Sequence, residues 1–138
     1  MTPSRTSPGE RAPVRVVIVT LDNHLAGVAQ RARAMLAREI PGLTIAYHAA
    51  ADFAADPAAL ARCHADIAQG DIILATMLFL EDHIQAVLPQ LLARRPHCDA
   101  MVAAMSAGEV IKLTRIGAFQ MDKEAKGPLA LLKKLRGA

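Results

Sequence analysis

DIILATMLFLEDHIQAVLPQLLARR, residues Asp71 to Arg95, decides the fold. Asp71 to Thr76 is a short apolar run that follows Gly70 and reads as a buried strand. After Met77-Leu78-Phe79-Leu80 the period changes. From about Glu81 to Arg95, Ile84, Val87, Leu88, Leu91 and Leu92 recur at helical spacing and should face inward. Pro89 falls inside this helix and is expected to kink or split it, because proline removes a backbone donor and crowds the preceding turn.

The same unit repeats on either side. Val14 to Thr20 (VRVVIVT) reads as a strand, and Asp22 or Asn23 can cap a helix running to about Glu39. Leu25, Val28, Ala29, Ala32, Met35 and Leu36 would be its inward face, with Arg31, Arg33 and Arg38 outside. Pro41-Gly42 stops it, and Leu43 to His48 is a second strand. Asp56-Pro57 opens a helix to Gln69 that ends at Gly70. Downstream, Ala100 to Met105 is a fourth strand, and Ser106 with Glu109 fits a capping box opening a helix to about Arg115. Gly117 to Gly127 reads as irregular, and Pro128 opens a final basic helix, Leu129 to Arg136.

Fourfold alternation with short connections implies an α/β fold with right-handed crossovers. The expected form is an open, doubly wound parallel sheet, flavodoxin-like, of four strands in order 2-1-3-4 with helices on both faces. Residues 1–13, punctuated by Pro3, Pro8 and Pro13, read as a disordered polar tail, and 14–138 as a single α/β domain.

Composition supports this and narrows function. Leu, Ile, Val and Phe make up 36 of 138 residues, enough for a core. Neither an apolar segment long enough for a membrane span nor an export signal is visible, which implies a cytoplasmic protein. Cys63 and Cys98 form no CxxC pair or disulfide framework. Seven Lys/Arg against three acids lie from Glu109 onward, leaving the first 108 residues slightly negative. With one Tyr, three Phe and no Trp, a nucleic-acid partner is not expected.

In such a sheet, ligands bind beyond the carboxyl ends of the strands, where the order reverses. Asp22 and His24 follow strand one, Glu81, Asp82 and His83 follow strand three, and Ser106 and Glu109 follow strand four. These seven are the candidate binding residues, a polar rim that could meet another domain or subunit. Capping and the helix dipole already explain Asp22, Glu81, Asp82, Ser106 and Glu109, but not two histidines beside carboxylates. No metal site and no catalytic residue is assigned. His64 and Cys63, like His97 and Cys98, are adjacent in sequence, so their side chains diverge. Neither G-x-G-x-x-G nor G-x-x-x-x-G-K-[ST] occurs, and no phosphate chemistry is visible.

Three stretches carry a resemblance: VVIVTLDNHLAG (Val16 to Gly27), ATMLFLEDHIQAVLP (Ala75 to Pro89) and DAMVAAMSAGEVIKLTRIGAF (Asp99 to Phe119). From about Val14 through Arg136 the chain resembles the N-terminal domain of the large, porphyrin-binding H subunit of magnesium chelatase. MLFLEDHI is the most specific part. The resemblance implies a ligase complex that inserts Mg2+ into protoporphyrin IX, the first committed step of chlorophyll and bacteriochlorophyll biosynthesis in photosynthesis. It also implies partners: the remaining domains of the H subunit, the porphyrin, and two AAA+-type subunits that hydrolyse ATP. It carries no catalytic residue onto this chain, so the fragment alone is expected to be inactive and to bind no cofactor itself. The related large subunit of cobaltochelatase is one alternative, although the LEDHI and MSAGEV segments point to the magnesium branch. A free-standing flavodoxin-like interaction domain is the alternative from another class.

Overall fold

The structure, a computed structural model, describes residues 13–121. Strands β1 (Val14–Thr20), β2 (Leu43–Ala49), β3 (Ile72–Thr76) and β4 (Ala100–Ala104) pair in parallel. Helices α1 (Ala26–Glu39), α2 (Pro57–Gln69) and α3 (Glu81–Arg94) connect them. After β4 come a single helical turn, α4 (Gly108–Ile111), and two short strands, β5 (Arg115–Ile116) and β6 (Phe119–Gln120).

Among the described residues the sheet therefore has six strands, in order β2-β1-β3-β4-β5-β6, and the expected four-stranded flavodoxin-like sheet is corrected. β5 and β6 add antiparallel to β4 and to each other. Their hairpin turns on Gly117 and Ala118, with Gly117 at φ 58, the left-handed start that two-residue hairpin loops require. Residues 117–121 are thus ordered where irregular chain was expected. The anticipated final helix, Leu129 to Arg136, and most of the polar tail lie outside the described residues.

The helix expected from Ser106 to Arg115 shortens to α4 for a visible reason. Thr114 is buried and its Oγ1 accepts from Ala103 N at 3.0 Å while donating to Ala103 O at 3.1 Å. This two-way bond draws the chain out of helix and onto the edge of β4. Pro89 neither kinks α3 to breaking nor splits it, since the helix runs unbroken past it. Both Pro89 and Gln85, whose carbonyl loses its donor, lie on the exposed side, where water can replace the bond.

Pairing register sorts the strand residues onto two faces. Val17, Val19, Ile73, Ala75, Met101 and Ala103 share one face. They form the core with Cys63 and Ile67 of α2 and Ile84, Val87 and Leu91 of α3. Gly70 lets α2 hand over to β3 at close range: a Cβ there would stand 3.0 Å from Val17 Cγ2 and Ile73 Cγ1. The opposite face carries α1, which rests over β2 and buries no residue. Its expected inward face is corrected. Ala26, Ala29, Ala32 and Leu36 are partly covered, whereas Leu25, Val28 and Met35 are 45%, 53% and 65% exposed.

Candidate functional site

At the carboxyl ends of the strands, two loops are fastened together. Met77 N donates to Met105 O at 2.9 Å, and Ala107 N donates to Leu78 O at 2.9 Å. Between them the buried Ser106 hydroxyl accepts from Leu78 N at 3.0 Å and donates to Ala104 O at 3.1 Å. Ser106 thus ties the β3 loop to the β4 loop, and the capping role expected of it is corrected: α4 begins after Ala107 with no side-chain cap. Met77 and Met105 both hold left-handed backbone, at φ 60 and φ 47. For a residue with a Cβ this costs on the order of 1–2 kcal/mol, offset here by the bonds that join the loops. The loops present Phe79, Leu80 and Met105 to solvent.

Across the order reversal, the loop after β1 is fastened to the other side. Asp22 caps a 3-10 turn (Asn23–Leu25), its Oδ1 accepting from His24 N at 2.9 Å. Ala51 N donates to Leu21 O at 2.8 Å, and Asn23 Nδ2 reaches Asp52 Oδ2 at 3.4 Å. Tyr47 donates its hydroxyl proton to Asp22 O at 2.5 Å. Burial pushes the Tyr47 phenol above its ordinary 10.0, and the neighbouring Asp22 carboxylate adds to the effect.

The seven candidate residues are distributed along this edge. Asp22 and His24 stand on the β1 loop, Glu81, Asp82 and His83 on the first turn of α3, Ser106 just before α4 and Glu109 within it. Glu81 Oε1 accepts from Gln85 Nε2 at 2.9 Å, one turn along its own helix. His24, Asp82 and Glu109 are exposed. His83 Nδ1 is buried without a hydrogen-bond partner among the described residues. Among the described residues, no group of three His, Cys, Asp or Glu side chains is placed to hold a metal ion.

Sequence reasoning missed the contact that closes the far end of β2: His48 Nε2 lies 2.7 Å from Asp66 Oδ2 of α2. Its only signal was a polar residue at the end of an apolar strand. It also missed a cavity of about 230 Å3 between α2 and α3, lined by His64, Gln90, Arg94 and His97, among others. There His64 Nε2 meets Ala86 O at 2.7 Å, and Arg94 Nε donates to Gly70 O at 3.0 Å. Buried Cys63, next to Asp66, has its thiol pushed up to about 12 by desolvation and by that carboxylate. It is a core residue and a poor nucleophile.

Fold and edge together define an α/β domain with a parallel core and a fastened strand-end rim. The chain belongs to the family described as domain of unknown function DUF3479, which matches residues 15–138. It is similar to the H subunit of the magnesium chelatase of Cereibacter sphaeroides, with 50% identity over 123 residues, and to that of Rhodobacter capsulatus, with 43% over 122. The matches cover 89% and 88% of this chain but 10% of each relative, so the chain spans about a tenth of their length. No helix among the described residues is long and apolar enough to cross a membrane.

Proposed function

We propose that this chain is the N-terminal domain of the H subunit of a magnesium chelatase. In that complex Mg2+ is inserted into protoporphyrin IX, on the route to chlorophyll or bacteriochlorophyll, while two AAA+-type partner subunits hydrolyse ATP. The observation that carries this reading is 50% identity to a chelatase H subunit across nearly the whole chain. The domain's part is to join the rest of the subunit or its partners, not to perform the chemistry. Its polar rim, Asp22, His24, Glu81, Asp82, His83 and Glu109, is the proposed contact edge, with the buried Ser106 holding the loops behind it. Imidazole and carboxylate side chains along one edge suit hydrogen-bonded docking better than Mg2+, which prefers oxygen and keeps its waters.

The test is a chimera in which residues 15–138 replace the matching tenth of the Cereibacter sphaeroides protein. Assayed with that protein's own partners, the chimera should form magnesium protoporphyrin near the parental rate. A chimera that folds and binds porphyrin but inserts no Mg2+ would overturn the assignment, and gain of cobalt insertion would favour the cobaltochelatase branch. Within an active chimera, His24→Ala with His83→Ala should weaken subunit assembly or chelation. Wild-type levels of both would reduce the two histidines to surface residues.

A further inference from the structure

The loops at the carboxyl ends of β3 and β4 build an apolar knuckle that the core does not use. Phe79, Leu80 and Met105 are 53%, 56% and 68% exposed, whereas Leu78 beside them is fully buried. Two backbone hydrogen bonds and the Ser106 hydroxyl lock the loops side by side, so the three exposed side chains share one rigid edge. Met105 is held in left-handed backbone, at φ 47. Glycine takes that conformation without strain. A methionine there instead gives up stability to set a large, adaptable apolar side chain in water.

The charge around the knuckle has one sign. Residues 21–25, 77–83 and 105–109, the three loops at this edge, carry the carboxylates Asp22, Glu81, Asp82 and Glu109 and no Lys or Arg. Such an edge repels the phosphates of nucleic acid and of anionic lipid, and attracts a protein surface bearing Lys or Arg. Its size decides how that partner is held. Three side chains at this exposure offer on the order of 300–400 Å2, a patch that on a monomer often marks a contact site. Each side of a free-standing interface buries about 800 Å2. A patch of about half that size suits a partner already tethered to it, because a short tether supplies an effective concentration of about 1 mM. This chain spans 10% of each matched relative, so most of such a subunit is available as the tethered partner.

We propose that Phe79, Leu80 and Met105 dock into an apolar recess on another domain of the same long chain, rimmed by Lys or Arg that pair with Glu81, Asp82 and Glu109. The inference rests on the reading of this chain as one domain of a chelatase H subunit. To the polar rim it adds an apolar centre, which supplies most of the contact energy.

Thiol labelling of Met105→Cys, which keeps a small apolar side chain at the knuckle, tests it. The variant is made in the 138-residue chain and in the Cereibacter sphaeroides chimera, and labelling of position 105 is followed by peptide mass. The native Cys63 and Cys98 are buried and should stay silent. Maleimide should label position 105 at least about tenfold more slowly in the chimera, as docking under a tether implies. Phe79→Ser with Leu80→Ser, or Asp82→Lys with Glu109→Lys, should each bring the chimera's rate to that of the isolated chain. Equal rates without these changes overturn the proposal, and so does protection that survives the charge reversal. Protection that grows with chimera concentration, or that needs phosphatidylglycerol vesicles or the ATPase subunits, assigns the surface to another partner and also overturns it. Magnesium insertion by the same chimera keeps the two readings apart. If it is active with position 105 unprotected, only the docking fails; if it is folded and protected but inactive, only the chelatase reading fails. Should the chimera not fold, the 138-residue variant is mixed at about 1 mM, the concentration a tether supplies, with the Cereibacter sphaeroides protein lacking its matching tenth. Protection there supports the docking, and its absence overturns it.

Discussion

The two faces of the sheet are made of the same kinds of residue and meet different surroundings. Val17, Val19, Ile73, Ala75, Met101 and Ala103 lie under α2 and α3 with no more than 6% exposure. Val16, Ile18, Ile72, Leu74 and Val102 alternate with them along the same strands and remain only partly covered. Residue type therefore does not report which face is dry. What separates the faces is crossover geometry. The steps from β2 to β3 and from β3 to β4 both run in one direction along the sheet and place α2 and α3 together. The step from β1 to β2 runs the other way and places α1 on the opposite face, where it is the only helix of eight residues or more among the described residues.

This contrast can be broken most severely at neighbouring positions of β3. Ile73→Asp should abolish folding, because it puts a carboxylate into the fully buried layer at a cost of several kcal/mol. Leu74→Asp, one residue along and on the other face, should leave a cooperative urea transition at a lower midpoint. Equal loss in both variants would mean that the second face is as dry as the first.

Ser106→Ala tests whether the strand-end rim adds to what the core supplies. It leaves Leu78 N buried without its acceptor, which should cost about 1–3 kcal/mol in denaturant unfolding. No measurable change would show that water replaces the hydroxyl. A pH series sharpens the dry side of the comparison through Cys63. Its thiol is raised from 9.0 to about 12 in the folded state, so between those values the folded chain keeps a proton that the unfolded chain has lost. Stability should be unaffected by this group below pH 9 and fall as pH rises above it. Cys63→Ala should remove that part of the slope. Smallest in effect, Met105→Gly relieves one left-handed residue whose side chain is 68% exposed, and should raise stability by roughly 0.5–1 kcal/mol.

The parallel strands and their connecting helices were legible because period and punctuation agree locally. Asp56-Pro57 caps α2 as its sequence implies, with Asp56 Oδ1 accepting from Ala58 N and Ala59 N. Three features were not legible, each because a distant partner overrides a local signal. Ser106 and Glu109 have capping-box spacing, but Leu78, 28 residues earlier in the chain, takes the hydroxyl. Thr114 reads as an ordinary helical position until Ala103 offers it both a donor and an acceptor. In α1, Val28 and Met35 fit an inward stripe, yet the sheet accepts the alanine side instead. The β5–β6 hairpin is a different case. Ile116-Gly117-Ala118-Phe119 carried the turn signal in full, an apolar pair flanking a glycine-led dipeptide, and the reading of 117–127 as irregular overlooked it.

α1 has a consequence for how the domain breathes. Its contacts with the sheet are mostly alanine methyls, so detaching it forfeits little apolar burial, while its fourteen residues regain their backbone freedom. Such an element opens on its own, well below the free energy that unravels β1, β3 and α3 together. Its amides would exchange with solvent early and as a group, ahead of those in the central strands. The first crossover of the fold should therefore open as a cooperative unit of its own, ahead of the core.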